Sequence, residues 1–371
     1  MFAFAVFATV AALAAQPAAR PHTSQDADGT LAAVYSQAAD LFVSPSGSDE
    51  GPCTSSAPCR SFDRAYQIAR PGDVVEAAGG SYPSQTLTAK RGARSPYVVI
   101  REAAGQRAVV GGRGETINCI GFAGASHVLV AGFETPYVDV QGDPSQCGVG
   151  VGREGTHHVT LLDLDVGGVW VGADDVQVLD SDIGPNVNEG GTPTAVSGDD
   201  EDDSERVLFQ GNEFHDYTSV DGNHQQCFAA WSGQRVTVRD NRFSNCETFH
   251  LWLVAERGQT ISRYVIEGNT FRQPDPSIGI SATIKVGDHG GALENVLLRD
   301  NKVLIGGIYV VQGYDEGGTG DIRLLDNGTR RGISLGSREN CLTDATYDEA
   351  DVVYECRGNI LVGAVLHPPP E

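Results

Sequence analysis

Basic residues are few. Lysine and arginine together number 26 against 49 acidic residues, a formal charge of −23, and lysine is scarce even among the bases. Such a balance opposes nonspecific attraction to nucleic acid or to an anionic membrane face. It still allows a local basic cluster that grips an anionic substrate. Long apolar runs are also missing, apart from "MFAFAVFATVAALAA" at 1–15. That run falls short of the ~20 residues a spanning helix needs. It reads as a signal peptide over 1–19, with cleavage near Ala14, Ala15 or Ala19, although no positive n-region precedes it. Residues 20–40 read as a disordered leader, the folded domain as 41–365, and 366–371 as a tail. The mature chain is expected to be a secreted monomer with no membrane span.

No Cys-x-x-Cys and no His/Cys pairing has zinc spacing, so a structural zinc site is not expected. The eight cysteines, Cys53, Cys59, Cys119, Cys147, Cys227, Cys246, Cys341 and Cys356, are an even set behind a secretion signal, which favours disulfides. Many connectivities are open. Nearest-in-sequence pairing is the simplest expectation (53–59, 119–147, 227–246, 341–356), with buried thiols as the alternative.

No stretch repeats apolar residues at i, i+3 and i+4 over about ten positions, so helical repeats are excluded. What is present is short alternation, as in "VTVRDNRF", "VVIRE" and "IYVVQG", punctuated by Asp, Asn and 46 glycines. Aligning these segments yields one column: Phe133, Leu164, Ser181, Asn212, Asn241, Asn269, Asn301, Asn327 and Asn359. Its steps run from 17 (181−164) to 32 (301−269) residues. A period in the roughly 20–50 range marks a solenoid. Two or three strand runs per repeat are too few for a propeller blade and fit the coil of a parallel β-helix. Asn at a corner tolerates the left-handed conformation, and stacked amides can bond one another as a ladder. Phe214, Phe243, Phe271 and Val303, two residues later, are expected to stack inside. Asn327 also begins an "NGT" glycosylation sequon, but its place in the column favours the structural use.

The segment "LFVSPSGSDEGPCTSSAPCRSFDRAYQIARPGDVVEAAGGSY", 41–82, resembles the entry segment of secreted right-handed parallel β-helix proteins, the pectin-lyase-like superfamily. The shared features are Val43 to Asp49, a short helix over Phe62–Ala69, Pro71-Gly72-Asp73 and Gly80-Ser81-Tyr82. "PYVVIREAAGQRAVV", 96–110, is similar to the first coils of alginate lyases and chondroitinase B. The resemblance implies an all-β right-handed parallel β-helix solenoid with an N-terminal capping helix. It is weak for activity, because such coils carry lyases, hydrolases, epimerases and adhesins. The Arg-x-Pro-x-x-Arg of pectate lyases is absent. So are the Asn-Thr-Asp of polygalacturonases and a clear match to the Lys/Arg pair and calcium ligands of chondroitinase B; "TIKVGDHGG" at 283–291 is a chance echo.

A polar concentration remains in the central coils, 213–258. If Leu251 and Leu253 face the core, then His250, Trp252 and Glu256 lie on an outer face. The next coils add Lys285 and Tyr309. Stacked coils stand about 4.8 Å apart, so these side chains could share a cleft. A lyase acting on uronates needs a group that neutralises the carboxylate and a base for the C5 proton. Lys285, Arg257 or a bound cation suit the first role, and His250, Tyr309 or Lys285 the second. Trp231, Trp252 and His224 are expected to contact sugar. A hydrolase would use a carboxylate pair, with Asp216, Asp221 and Glu256 as candidates. The acidic loop "SGDDEDDSE" could hold Ca²⁺ through Asp199, Asp200, Asp202 and Asp203, but lacks EF-hand spacing and also reads as a solvated loop. The partner expected is a polysaccharide, bound and, in the enzymatic reading, cleaved by β-elimination or hydrolysis. The alternative is a non-catalytic carbohydrate-binding or adhesin-like solenoid.

Overall fold

The computed structural model describes residues 25–111, 118–140, 143–152, 155–188, 194–196, 204–219, 225–255, 258–275, 282–287, 289–310, 319–335, 339–342, 344–349 and 352–362. The chain winds as a parallel β-helix. Three sheets of 15, 11 and 9 strands run the length of the coil, and almost every strand pairs in parallel with its counterpart one coil on. On the first face, for example, Thr237–Arg239 lies between Leu208–Gln210 and Val265–Glu267. On the third, Phe214, Phe243, Phe271 and Val303 fall in register. The three phenyl rings stack at 4.6 and 4.8 Å with planes within 10°. They are fully buried in one core that runs the length of the bore.

The asparagine column forms a ladder. Each amide oxygen accepts from the backbone N–H and the Nδ2 of the asparagine one coil earlier. This holds along Asn212, Asn241, Asn269, Asn301, Asn327 and Asn359, at 2.9–3.2 Å. Ser181 begins it by taking Asn212 Oδ1 on its N–H. One detail of the expectation is overturned: the asparagines are not the left-handed residues. The residue before each one is, namely Asp240, Asp300 and Asp326 at φ +54 to +56, and Gly211, Gly268 and Gly358 at φ +65 to +73. Aspartate and glycine tolerate that region best, which leaves each Asn free to aim its amide along the coil axis.

Helix α1 spans Gln25–Ser36 and helix α2 spans Phe62–Ile68. In α2, Ser61 Oγ accepts the N–H of Arg64, an N-cap that satisfies one orphan donor. Phe62 packs on Tyr82 and Phe133, and Tyr66 Oη donates to Ser126 O, so α2 closes the open end of the bore. Helix α1 corrects the reading of 20–40 as a disordered leader. Val34 and Leu31 sit on an outward apolar stripe of Val74, Val99, Leu129, Ala131 and Leu162. Four consecutive coils therefore carry apolar outer positions that the helix takes out of water. All four nearest-in-sequence disulfides form, Cys53–Cys59, Cys119–Cys147, Cys227–Cys246 and Cys341–Cys356. Among the described residues no helix is long and apolar enough to cross a membrane.

Candidate functional site

The second face places Trp252, Lys285 and Tyr309 on three consecutive coils at one register. Ala229 and Ala195 continue the column toward Trp170, and Ser334 extends it beyond Tyr309. Inward positions of the same strands, Leu251, Leu253, Ile284, Val286, Ile308 and Val310, are fully buried. Strand alternation therefore turns the column outward. Lys285 Nζ stands 5.2 Å from the ring centroid of Phe249 and 5.5 Å from that of Trp252. Both rings attract the ammonium ion through their negative faces. His289 meets Trp252 edge to face at 5.5 Å, and Trp252 Nε1 donates to Gly287 O. Tyr309 is exposed. The result is an outward shelf of an indole, an ammonium ion, an imidazole and a phenol, with the buried Phe249 ring beside the ammonium ion.

His250 does not belong to this shelf. It is fully buried, beside the core ring of Phe271, and its Nε2–H donates to Arg272 O at 2.9 Å. Nδ1 is buried without a hydrogen-bond partner. Burial pushes its pKa down to about 4, against a smaller opposing pull from the Arg272 carbonyl. The ring is therefore neutral and sealed from substrate at neutral pH, which removes it as a base. Phe249, itself buried, packs against the shelf instead, its ring 5.4 Å from that of Trp252. Counting alternation back from Leu251 fails here, because the pairing with both neighbouring coils skips His250, and His250 and Leu251 are buried side by side. Parity holds only within a straight strand.

Trp231 follows the strand Gln226–Ala230, half-buried, with its backbone N–H on Val196 O. Glu256, Arg257, His224, Asp221, Asp199, Asp200, Asp202 and Asp203 lie outside the described residues. Asp216 is described, and it is committed elsewhere. His215 bridges Asp182 Oδ1 at 2.6 Å and Asp216 Oδ2 at 2.7 Å. That bond, helped by Asn245 Nδ2 and opposed by burial, holds the Asp216 carboxyl below the usual range. A general acid of a hydrolase requires the opposite shift. Among the described residues no group of three or more His, Cys, Asp or Glu is assembled for a metal ion.

Sequence reasoning missed Phe249 and His289 on the shelf. The "DHGG" beside Lys285 was the available signal for His289; Phe249 had none, since it reads as core.

Residues 150–318 match the family model described as the right handed beta helix region. No curated protein matches the chain in sequence. Solved structures similar to it include PfbA, a surface adhesin of Streptococcus pneumoniae, at 13% identity over 75% of this chain and 74% of that one, with a TM-score of 0.49. The GH136 lacto-N-biosidase from Eubacterium ramulus is similar at 11% identity, covering 87% of this chain and 68% of that one, with a TM-score of 0.49. An alginate lyase from Paenibacillus sp. str. FPU-7 is similar at 13% identity, covering 87% and 98%, with a TM-score of 0.41. Likeness at this level leaves the chemistry of the chain to its own residues.

Proposed function

We propose that the protein binds an extracellular acidic polysaccharide across the outer side of the second face. The observation that carries this reading is the Trp252–Lys285–Tyr309 column, with Phe249 and Trp252 flanking the ammonium ion. Aromatic faces receive the apolar faces of sugar rings, and a lysine among them pairs with a uronate carboxylate. The net charge of −23 opposes polyanions at long range, but salt screens that term within about 8 Å. Contact with one carboxylate per subsite is decided locally. Four disulfides suit an oxidising, extracellular compartment.

A second reading, β-elimination, draws on one specific feature: Tyr309 is the register partner of Lys285. Lys285 would neutralise the uronate carboxylate while Tyr309, as the phenolate, takes the C5 proton on Oη and passes it to the departing O4. The C4–O bond then breaks, leaving an unsaturated uronate and a new chain end.

Electrophoresis through gels cast with polygalacturonate, alginate or a neutral glucan tests both. The acidic gels should retard the protein and the neutral one should not. Lys285→Ala should abolish the retardation. Trp252→Ala should weaken binding about tenfold, the ~1.4 kcal/mol of one such contact. Migration unchanged in every gel would end the proposal. Ultraviolet-absorbing unsaturated uronate that disappears in both Lys285→Ala and Tyr309→Phe selects elimination; binding without such product selects recognition alone.

A further inference from the structure

Adjacent residues of a strand normally point to opposite faces. His157 and His158 open the strand His157–Leu162, yet their rings meet edge to face with centroids 4.9 Å apart. Nδ1 of one lies 2.8 Å from Nδ1 of the other. The backbone is the cause. His158 sits at φ +54, in the left-handed region, which swings its side chain round to meet that of His157. Neighbouring coils hold the pair. His127, also at φ +54, stacks on His158 at 4.6 Å and 13°, with Tyr97 edge-on behind it at 5.6 Å. On the other side Asp175 Oδ2 stands 3.4 Å from His158 Nδ1, and Arg206 fixes that carboxylate through Nε and Nη2.

We propose that His157 and His158 form a two-nitrogen chelate for a divalent transition-metal ion of the nickel or copper kind. Two neutral imidazoles share one hydrogen between the facing nitrogens. The nitrogens meet nearly head-on, so once it moves to the far Nε2 each ring must turn by about 20° for both lone pairs to converge on one ion. Metal–imidazole bonds are about 2.0–2.1 Å long, so nitrogens 2.8 Å apart subtend about 85° at the metal. That is the angle between neighbouring positions of a square-planar or octahedral shell, the geometry of Cu²⁺ and Ni²⁺. Tetrahedral Zn²⁺ would need the nitrogens about 3.4 Å apart. Water completes the shell, and Asp175 is placed to accept a hydrogen bond from one such water. His127 acts as a stacking wall and not as a ligand. The site needs unprotonated rings, so acid releases the ion. This face carries none of the sugar-shelf residues, so the inference stands independently of the proposed function.

Titration of the full, untagged chain with Ni²⁺, Cu²⁺ and Zn²⁺ by calorimetry at about pH 7.5 tests it. One Ni²⁺ per chain is expected, with Cu²⁺ tighter and Zn²⁺ weaker. Affinity should fall at least about tenfold in His157→Ala and in His158→Ala, and stay within about threefold in His127→Ala. Thermal unfolding checks that each variant is folded, with His157→Gln in reserve should the alanine variant not fold. Absence of Ni²⁺ binding overturns the proposal. So does binding untouched by both substitutions, or a loss in His127→Ala equal to the other two.

Discussion

Asn269→Ala is expected to lower stability by about 3–5 kcal/mol, read as a drop in the urea midpoint at unchanged slope. The side chain is fully buried and makes four hydrogen bonds. Its Nδ2 donates to Val238 O and Asn301 Oδ1, and its Oδ1 accepts from Asn241 N and Asn241 Nδ2. Alanine leaves the backbone N–H of Asn241 and one Nδ2 hydrogen of Asn241 buried without acceptors, although Nδ2 keeps Phe209 O, and it takes the side-chain donor from the Val238 carbonyl. Each such group costs about 1–3 kcal/mol, and water has no path into the stack. Asn269→Asp should be worse still. It keeps the acceptor, loses both donors, and sets a carboxylate against the oxygens of Val238 and Asn301. A shift below about 1 kcal/mol for the alanine variant would mean that the ladder only decorates the corner.

The second large effect is an acid sensitivity seated in His250. Its pKa is about 4 in the folded chain, against about 6.5 in an unfolded one. Above that upper value both states hold a neutral ring and pH has no leverage. As pH falls from about 6.5 toward 4, the unfolded chain takes a proton that the folded chain refuses. Stability therefore falls by roughly 1.4 kcal/mol per unit, about 3 kcal/mol across the window. His250→Phe removes the titrating ring while keeping an aromatic beside Phe271. At neutral pH it should cost about 1–2 kcal/mol, because Arg272 O loses its donor. Below about pH 5 the variant should equal or exceed the parent. Carboxylates such as Asp216, held below the usual range, weaken both proteins alike in acid, so the difference between them isolates His250. Urea curves at stepped pH check this. A gap between parent and variant that stays constant from neutral to acid pH would refute the assignment.

The coil, its amide corner, its phenylalanine stack, its capping helix and its disulfide pairs were legible before any coordinates. A solenoid repeats one local solution, so each coil restates the same pattern and the restatement rises above noise. Other features were not legible. The strand count placed His250 outside, yet the pairing skips it and the ring is buried. Leu31 and Val34, set aside with the leader, cover an apolar stripe that exists only once Val74, Val99, Ala131 and Leu162 from separate coils are stacked. The His157–His158 contact depends on a single left-handed φ that no composition rule marks.

Repetition and alternation are properties of the chain taken a few residues at a time, and they determined the coil, the composition of its bore and the column that carries Trp252, Lys285 and Tyr309. Corners and coil-to-coil meetings belong to no short stretch. There the direction of one side chain follows from a backbone angle, and its neighbours arrive from about thirty residues away, one turn of the solenoid. Only the tertiary structure could decide that His250 is sealed in, that Phe249 flanks the lysine, and that two adjacent histidines face each other.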